Sequence, residues 1–299
     1  MRRPTTHFPA VHAGVLLALC LSMAATLVGV SVAQAKPFGI SSFSLEPIER
    51  TTEKLAGNAL EYELEYDNGP YATPFTQAGG HPWALTAKFA FETEEVKNFQ
   101  HEVTVLPTHD PKDIVSSLPP GLLGDPMAVP RCPLARATGS GEFCPGATQI
   151  GFWSVHLIGG HQILGPIVNV TPEVGQSAEF ALENRVKIQT PLLTAHLVRT
   201  AQGYGFTVAG IDTPALGIQD VELTFWGVPA DPSHNPWRGR FCTRPEKADP
   251  LDCGGGGESA GVAAVPFLTL PTDCAAGPQS TVLRADSWEE PGTVREGQY

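Results

Sequence analysis

The chain has 299 residues, of which 42% are hydrophobic and 17% are charged, and its formal net charge is −12. This length and apolar content suffice for one large or two modest domains with a substantial core. The acidic balance argues against electrostatic binding of nucleic acids or of anionic membranes.

The first 35 residues follow the three-part order of a secretory signal peptide. Arg2 and Arg3 form a positive start, residues 14–32 are almost wholly apolar, and Ala33-Gln34-Ala35 is an A-x-A cleavage site. The alternative is an uncleaved membrane anchor, since the apolar run is long enough to span a bilayer. We favour cleavage after the A-x-A site, because it lies where the apolar run ends. Loss of the two arginines changes the net charge from −12 to −14, and the mature protein is expected to be extracellular or at the cell surface.

Apolar and polar residues then alternate in short runs separated by glycine and proline, a pattern typical of antiparallel strands with one buried face. The clearest runs are residues 60–66 and 221–226. Further strands are predicted at residues 85–91, 152–158, 167–170, 178–183, 193–199 and 204–208. Many short strands without an alternating helix predict an all-β fold. The expected architecture is an antiparallel β-sandwich, jelly-roll-like or Ig-like, with long Gly- and Pro-rich loops after an N-terminal signal helix.

The chain changes character after the run at 221–226. Gly227, Pro229 and Pro232 cannot continue strand pairing, so they end the core strands. We therefore expect residues 36–230 to form the sandwich domain. Residues 231–299 are expected to form a disulfide-fastened loop region that returns one last strand to the sandwich, ahead of a further domain.

Five cysteines follow the predicted signal peptide, and in an exported chain cysteines are more often disulfides than metal ligands. They are Cys132, Cys144, Cys242, Cys253 and Cys274. The short loop between Cys132 and Cys144 predicts a disulfide that stabilises the fold by roughly 2–3 kcal/mol. Cys242 is expected to pair with Cys274, and pairing of Cys242 with Cys253 is the alternative.

The sequence lacks the motifs of the common catalytic and metal centres. No Gly-x-Ser-x-Gly elbow, His-Glu-x-x-His pair or C-x-x-C motif is present, so no metal and no cofactor are predicted. Asp231 and His234 are the one acid and base within reach of each other, and Trp237 is expected to be an exposed aromatic. These three residues are the candidate binding site, although a turn capped by Asp231 accounts for the same pattern. Asn169-Val170-Thr171 is a glycosylation sequon.

Three classes of function fit these features. The first is a non-catalytic structural or adhesive module of the cell surface, and the second is a carbohydrate-binding domain. The third is a secreted hydrolase whose site residues are dispersed along the chain. We favour the first, because the distinctive segments are rich in Gly, Pro and apolar residues, which fix backbone geometry and do not transfer protons. Expected partners are cell-wall polysaccharide or other surface proteins, with no membrane contact after signal cleavage.

Several segments between about residue 77 and residue 288 resemble, in the same order, large secreted or cell-surface proteins of soil actinobacteria to which no activity is assigned. The resemblance is carried by residues 77–82 (QAGGHP), 118–122 (LPPGL), 129–132 (VPRC), 226–234 (WGVPADPSH) and 266–269 (PFLT). It implies an exported β-rich protein and assigns no catalytic residue. The similar proteins continue beyond the segment that matches residues 283–288, which implies a longer parent protein.

Overall fold

The computed structural model describes residues 36–50, 72–97, 99–185, 189–200, 203–245, 256–258, 261–273, 275 and 277–299. The predicted signal peptide and the predicted strand at residues 60–66 lie outside these residues. Pro37–Tyr299 form one compact unit, so residues 231–299 belong to the same unit as the preceding strands.

The described residues contain seventeen strands and a few short helices. The first eight strands are β1 Ile40–Arg50, β2 Ala72–Pro74, β3 Ala84–Phe91, β4 Thr93–Lys97, β5 Val103–Pro107, β6 Pro111–Ser117, β7 Leu123–Gly124 and β8 Gln149–Leu157. They are followed by β9 His161–Val170, β10 Ala178–Leu182, β11 Leu192–Thr200, β12 Gly203–Gly210, β13 Ile218–Trp226, β14 Cys242–Pro245, β15 Leu268–Thr269, β16 Val282–Ser287 and β17 Arg295–Gln298. The helices are α1 Leu134–Thr138 and the 3-10 turns Gly146–Thr148, Ile158–Gly160 and Pro232–Trp237.

Most of these strands belong to one antiparallel sheet, so the all-β antiparallel prediction is confirmed. The order is β17-β16-β6-β12-β11-β10-β9-β8-β13-β3-β1-β2, and β14 pairs with β9. The sheet curls into a half-barrel, and the predicted sandwich is not confirmed. The strands β6 and β12 therefore lie across the interior from β3 and β13. Alternating patterns cannot separate these two architectures, because both bury one face of every strand.

The curl brings the two ends of the sheet close together. Gly297 of β17 lies against the side chain of Ile40 in β1, and the rings of Phe43 and Tyr299 meet edge to face with centroids 6.5 Å apart. In the described chain β1 and β17 are not paired as strands, so side-chain contacts close this side of the interior.

The strand β13 shows how the sequence pattern sets the two faces of the sheet. Val221 points into the main core together with Leu223 and Phe225, as the alternation predicts. Trp226 on the opposite face is fully buried as well, because the segment after β13 folds back over it. Both faces of the central strands are therefore covered at this end of the sheet.

The loop before β8 is fastened to the outer face of the sheet. Cys132 and Cys144 form the disulfide expected from the sequence, with Cα atoms 5.9 Å apart. Cys242 lies in β14 opposite Leu164, but its side chain lies outside the described part, as do Cys253 and Cys274. The pairing of Cys242 with Cys274 therefore stays a prediction.

The predicted sequon lies in a buried position. Asn169 has no exposed surface, and its Nδ2 donates to the carbonyl oxygen of Pro126 at 2.9 Å. The folded protein therefore does not present this amide for glycosylation.

Candidate ligand cavity

The inner face of the curled sheet encloses an apolar cavity of about 350 Å³. Inward positions on the strands carry aliphatic and aromatic side chains, whereas a few carry small residues that leave space unfilled. The walls include Phe89, Trp153, Val155, Leu193, Val221 and Leu283. We call this space the upper compartment.

A second apolar space of about 190 Å³ lies next to it and is called the lower compartment. Its walls include Leu45, Phe206 and Phe225, and residues of the loops at this end of the sheet complete it. Leu122 and Phe267 come from these loops, and both are almost completely buried. Packed apolar side chains thus form part of the floor of the lower compartment, whereas Leu123, which also lines it, is 50% exposed.

The two compartments meet at four residues that line both of them. Ala87 and Leu223 belong to one wall, and Ser116 and Val208 belong to the opposite wall. We call this group the waist. Three of the four side chains are small or of medium size.

The upper compartment reaches the surface at the far end from the floor. Gln189 and Leu216 line it and are also exposed, Leu216 to 49%. Thr213 lines it nearby, and its hydroxyl donates to the carbonyl oxygen of Pro111 at 2.6 Å. The exposed end of the upper compartment therefore lies beside Gln189 and Leu216.

No ionisable side chain is among the described residues that line either compartment. The lysine nearest in sequence to Ile114 of the wall is Lys112, which pairs with Asp113 at 2.9 Å and Asp212 at 3.0 Å. The hydrogen bond to Asp113, and secondly the one to Asp212, raise the pKa of Lys112 above its usual range. The ammonium of Lys112 is therefore paired outside the cavity. The described lining itself contains no charged group.

The lining of the upper compartment has an energetic consequence. Because it is almost wholly apolar, a molecule held there would be stabilised mainly by apolar burial and dispersion contacts.

The residues predicted as a binding site lie elsewhere, on the outer face of the sheet. Asp231 caps the 3-10 turn by accepting from the amide of Ser233 at 2.8 Å, which is the capping role considered from the sequence. His234 is 1% exposed, and its ring stacks on that of Trp226 at 4.5 Å and meets that of Trp83 at a tilt, at 4.7 Å. Both residues therefore stabilise the segment that follows β13.

The prediction that Trp237 is exposed is wrong. Its exposed fraction is 6%, and its ring stacks on Phe152 with centroids 5.1 Å apart. The nearby prolines and arginines suggested a surface loop, but the 3-10 turn lays this ring on the outer face of β8. An exposed aromatic platform is therefore not formed by Trp237.

A buried arginine holds this outer cluster together. Arg238 donates to the carbonyl oxygens of Pro229 at 2.6 Å and Gly146 at 3.1 Å, and its guanidinium lies 5.0 Å from the ring of Trp226. Burial lowers the pKa of Arg238 to about 10, so it remains charged at neutral pH. The rings of this cluster are packed and the guanidinium is hydrogen-bonded, which is typical of a structural element, whereas the buried Nε1 of Trp226 has no hydrogen-bond partner among the described residues.

The cavity residues were missed by the sequence reasoning. Ser116 and Ala87 fall on inward positions of their strands, where large apolar residues are the rule. Small residues at inward positions of facing strands are the one signal that could have indicated unfilled space. That signal requires knowledge of which strands face each other, and the sequence does not provide it.

A buried carboxyl group outside the cavity makes the stability depend on pH. Glu179 on the outer face of β10 is 2% exposed, and its Oε2 has no hydrogen-bond partner among the described residues. Burial, and secondarily the charge of Glu173, raises its pKa above the ordinary value of 4.5. The folded state therefore binds a proton more readily at this site than the unfolded state does.

We expect Glu179→Gln to increase the free energy of unfolding at neutral pH by about 1 kcal/mol, because it removes a poorly solvated charge. The wild-type protein is stabilised by protonation of Glu179 in the folded state, and this advantage is lost as pH rises through the raised pKa. The difference between variant and wild type should therefore grow from pH 4.5 upwards. Urea unfolding across this range tests it, and a difference that does not change with pH would contradict it.

The described chain shows no membrane-crossing helix and no grouping of three His, Cys, Asp or Glu side chains that could hold a metal ion. Comparison with known protein families, curated proteins and solved structures finds no match. The cavity therefore has to be interpreted from its own geometry and chemistry.

Proposed function

We propose that this protein is an exported, non-catalytic module that binds an apolar small molecule inside its curled sheet. The observation that carries the proposal is the pair of adjoining apolar compartments, whose described lining is neutral and reaches the surface. Ligand sites are commonly preformed apolar cavities of about 300–1,000 Å³ with a few polar groups. The upper compartment alone falls within this range.

The chemistry of the lining supports binding over catalysis. Hydrolysis requires a nucleophile or an activated water with a base in reach, and glycoside hydrolysis requires two carboxyl groups. The described lining contains the hydroxyls of Ser116, Ser177 and Thr213, but it contains no carboxyl or imidazole group that could take their protons. These hydroxyls are suited to hydrogen bonding.

The geometry gives less support to carbohydrate binding and to a purely adhesive or structural role. Carbohydrate recognition uses exposed aromatic faces, whereas Trp153, Trp226 and Trp237 are buried. Trp288 is 41% exposed, but the ammonium of Lys112 lies over its ring, 5.2 Å from the centroid. An adhesive or structural role at the cell exterior remains compatible with a bound apolar molecule, and polysaccharide or another surface protein could be a partner of the same module. Export itself rests on the leader sequence of residues 1–35.

The proposal is tested by titrating the purified protein with N-phenyl-1-naphthylamine, a neutral fluorophore that brightens in apolar surroundings. We expect saturable binding with a dissociation constant of about 10 µM or tighter, equivalent to about 7 kcal/mol. Trp153 lines the upper compartment, so its emission should be quenched in parallel. Absence of saturable binding to protein whose circular dichroism shows a folded sheet would reject the proposal.

A further inference from the structure

We propose that the bound molecule is elongated and carries an uncharged oxygen that bonds to Ser116 at the waist. This inference rests on the proposed function and specifies the class of ligand. Long-chain ketones, secondary alcohols and internal esters share the required chemistry: two apolar arms joined at a neutral hydrogen-bonding group.

The shape follows from the arrangement of the compartments along one strand. Ile218 of β13 lines the upper compartment, Leu223 lines both, and Phe225 lines the lower. At about 3.3 Å per residue, the lined part of β13 is about 23 Å long. A compact molecule would fill one compartment only, whereas an extended chain would fill both and pass the waist.

The polar group follows from the position of Ser116. Cross-strand neighbours of Ser116 in the sheet are Val208 and Leu283, and all three line the upper compartment. In the described part of the chain the hydroxyl of Ser116 makes no hydrogen bond, whereas the adjacent Ser117 accepts from Nη1 of Arg284 at 3.3 Å. The hydroxyl of Ser116 is thus a polar group that adjoins two apolar spaces. A ligand oxygen at this position would supply the hydrogen bond that the hydroxyl lacks.

The neutrality of that oxygen follows from the same surroundings. The other waist residues are Ala87, Val208 and Leu223, and none of them can stabilise a charge. A carboxylate or ammonium group at this depth would lose its hydration with one hydroxyl in return, which is strongly unfavourable. A carbonyl or hydroxyl oxygen loses much less hydration and gains the bond to Ser116.

The test uses displacement of N-phenyl-1-naphthylamine by three molecules of equal length. These are a dialkyl ketone with its carbonyl near mid-chain, the corresponding alkane, and the amine that carries its nitrogen at the same carbon. We expect the ketone to bind about tenfold more tightly than the alkane, the upper range for one hydrogen bond. The amine should bind at least about tenfold more weakly than the ketone.

Ser116→Ala should abolish the preference for the ketone over the alkane. The matched control is Ser117→Ala on the opposite face of β6, which should keep the preference. Equal binding of ketone and alkane to the wild-type protein, or a preference that survives Ser116→Ala, would overturn this inference. Binding of the fluorophore without displacement by any of the three would also overturn it and leave the proposed function standing. Failure of the fluorophore itself to bind would reject the proposed function.

Discussion

Substitution of Gly227 by alanine is expected to reduce the free energy of unfolding by about 4 kcal/mol, at the upper end of single-residue effects. A Cβ atom at this position would overlap the carbonyl oxygen of Pro82, which belongs to the backbone and cannot rotate away. The amide of Gly227 donates to the carbonyl oxygen of Trp83 at 2.9 Å, and its carbonyl accepts from the amide of Phe267 at 2.7 Å. The residue therefore joins the end of β13 to the start of β3 and to the floor of the cavity.

The matched control is Gly141→Ala, because a Cβ atom there meets nothing within 4 Å. Its effect should stay within about 0.5 kcal/mol. Urea unfolding followed by circular dichroism measures both variants. If the two variants unfold at the same urea concentration, the close approach at Gly227 does not determine the stability of this junction.

Filling the waist with a larger side chain is expected to remove ligand binding without unfolding the protein. In Ala87→Phe the added ring would project from the wall of β3 toward Val208 and Ser116 and occupy the space shared by the two compartments. We expect the affinity for N-phenyl-1-naphthylamine to fall by at least about 30-fold, a loss of about 2 kcal/mol. Thermal stability should be unchanged or higher, since filling an apolar space commonly contributes about 0.5–2 kcal/mol.

The control for this variant is Ala90→Phe, which places the same ring on the opposite face of the same strand. Its affinity for the fluorophore should match that of the wild-type protein. Full binding by Ala87→Phe would mean that the fluorophore lies somewhere other than in the two compartments, and the proposed site would then be wrong.

Much of the secondary structure could be read from the sequence, because strand faces and turns are local properties. The alternation of Val221, Leu223 and Phe225 with polar neighbours identified the buried face of β13. The loop between Cys132 and Cys144 similarly indicated a disulfide, since its closure depends mainly on chain length. These features require no knowledge of which strands become neighbours.

The curl of the sheet and the cavity could not be read in the same way. They depend on pairing between distant segments, such as β6 with β16 and β8 with β13. The prediction that Trp237 is exposed failed for the same reason. Its ring contacts that of Phe152, which lies far away in the chain. The inward position of Ser116 indicates a cavity only once Leu223 is known to lie across from it.

The location of a bound molecule is the most direct test of this account. Nuclear Overhauser contacts between bound N-phenyl-1-naphthylamine and isotope-labelled methyl groups of the protein report it. We predict contacts to Val155, Val208 and Leu223, which line the interior. Contacts confined to exposed methyl groups, such as those of Val174 and Leu197, would contradict an internal ligand site.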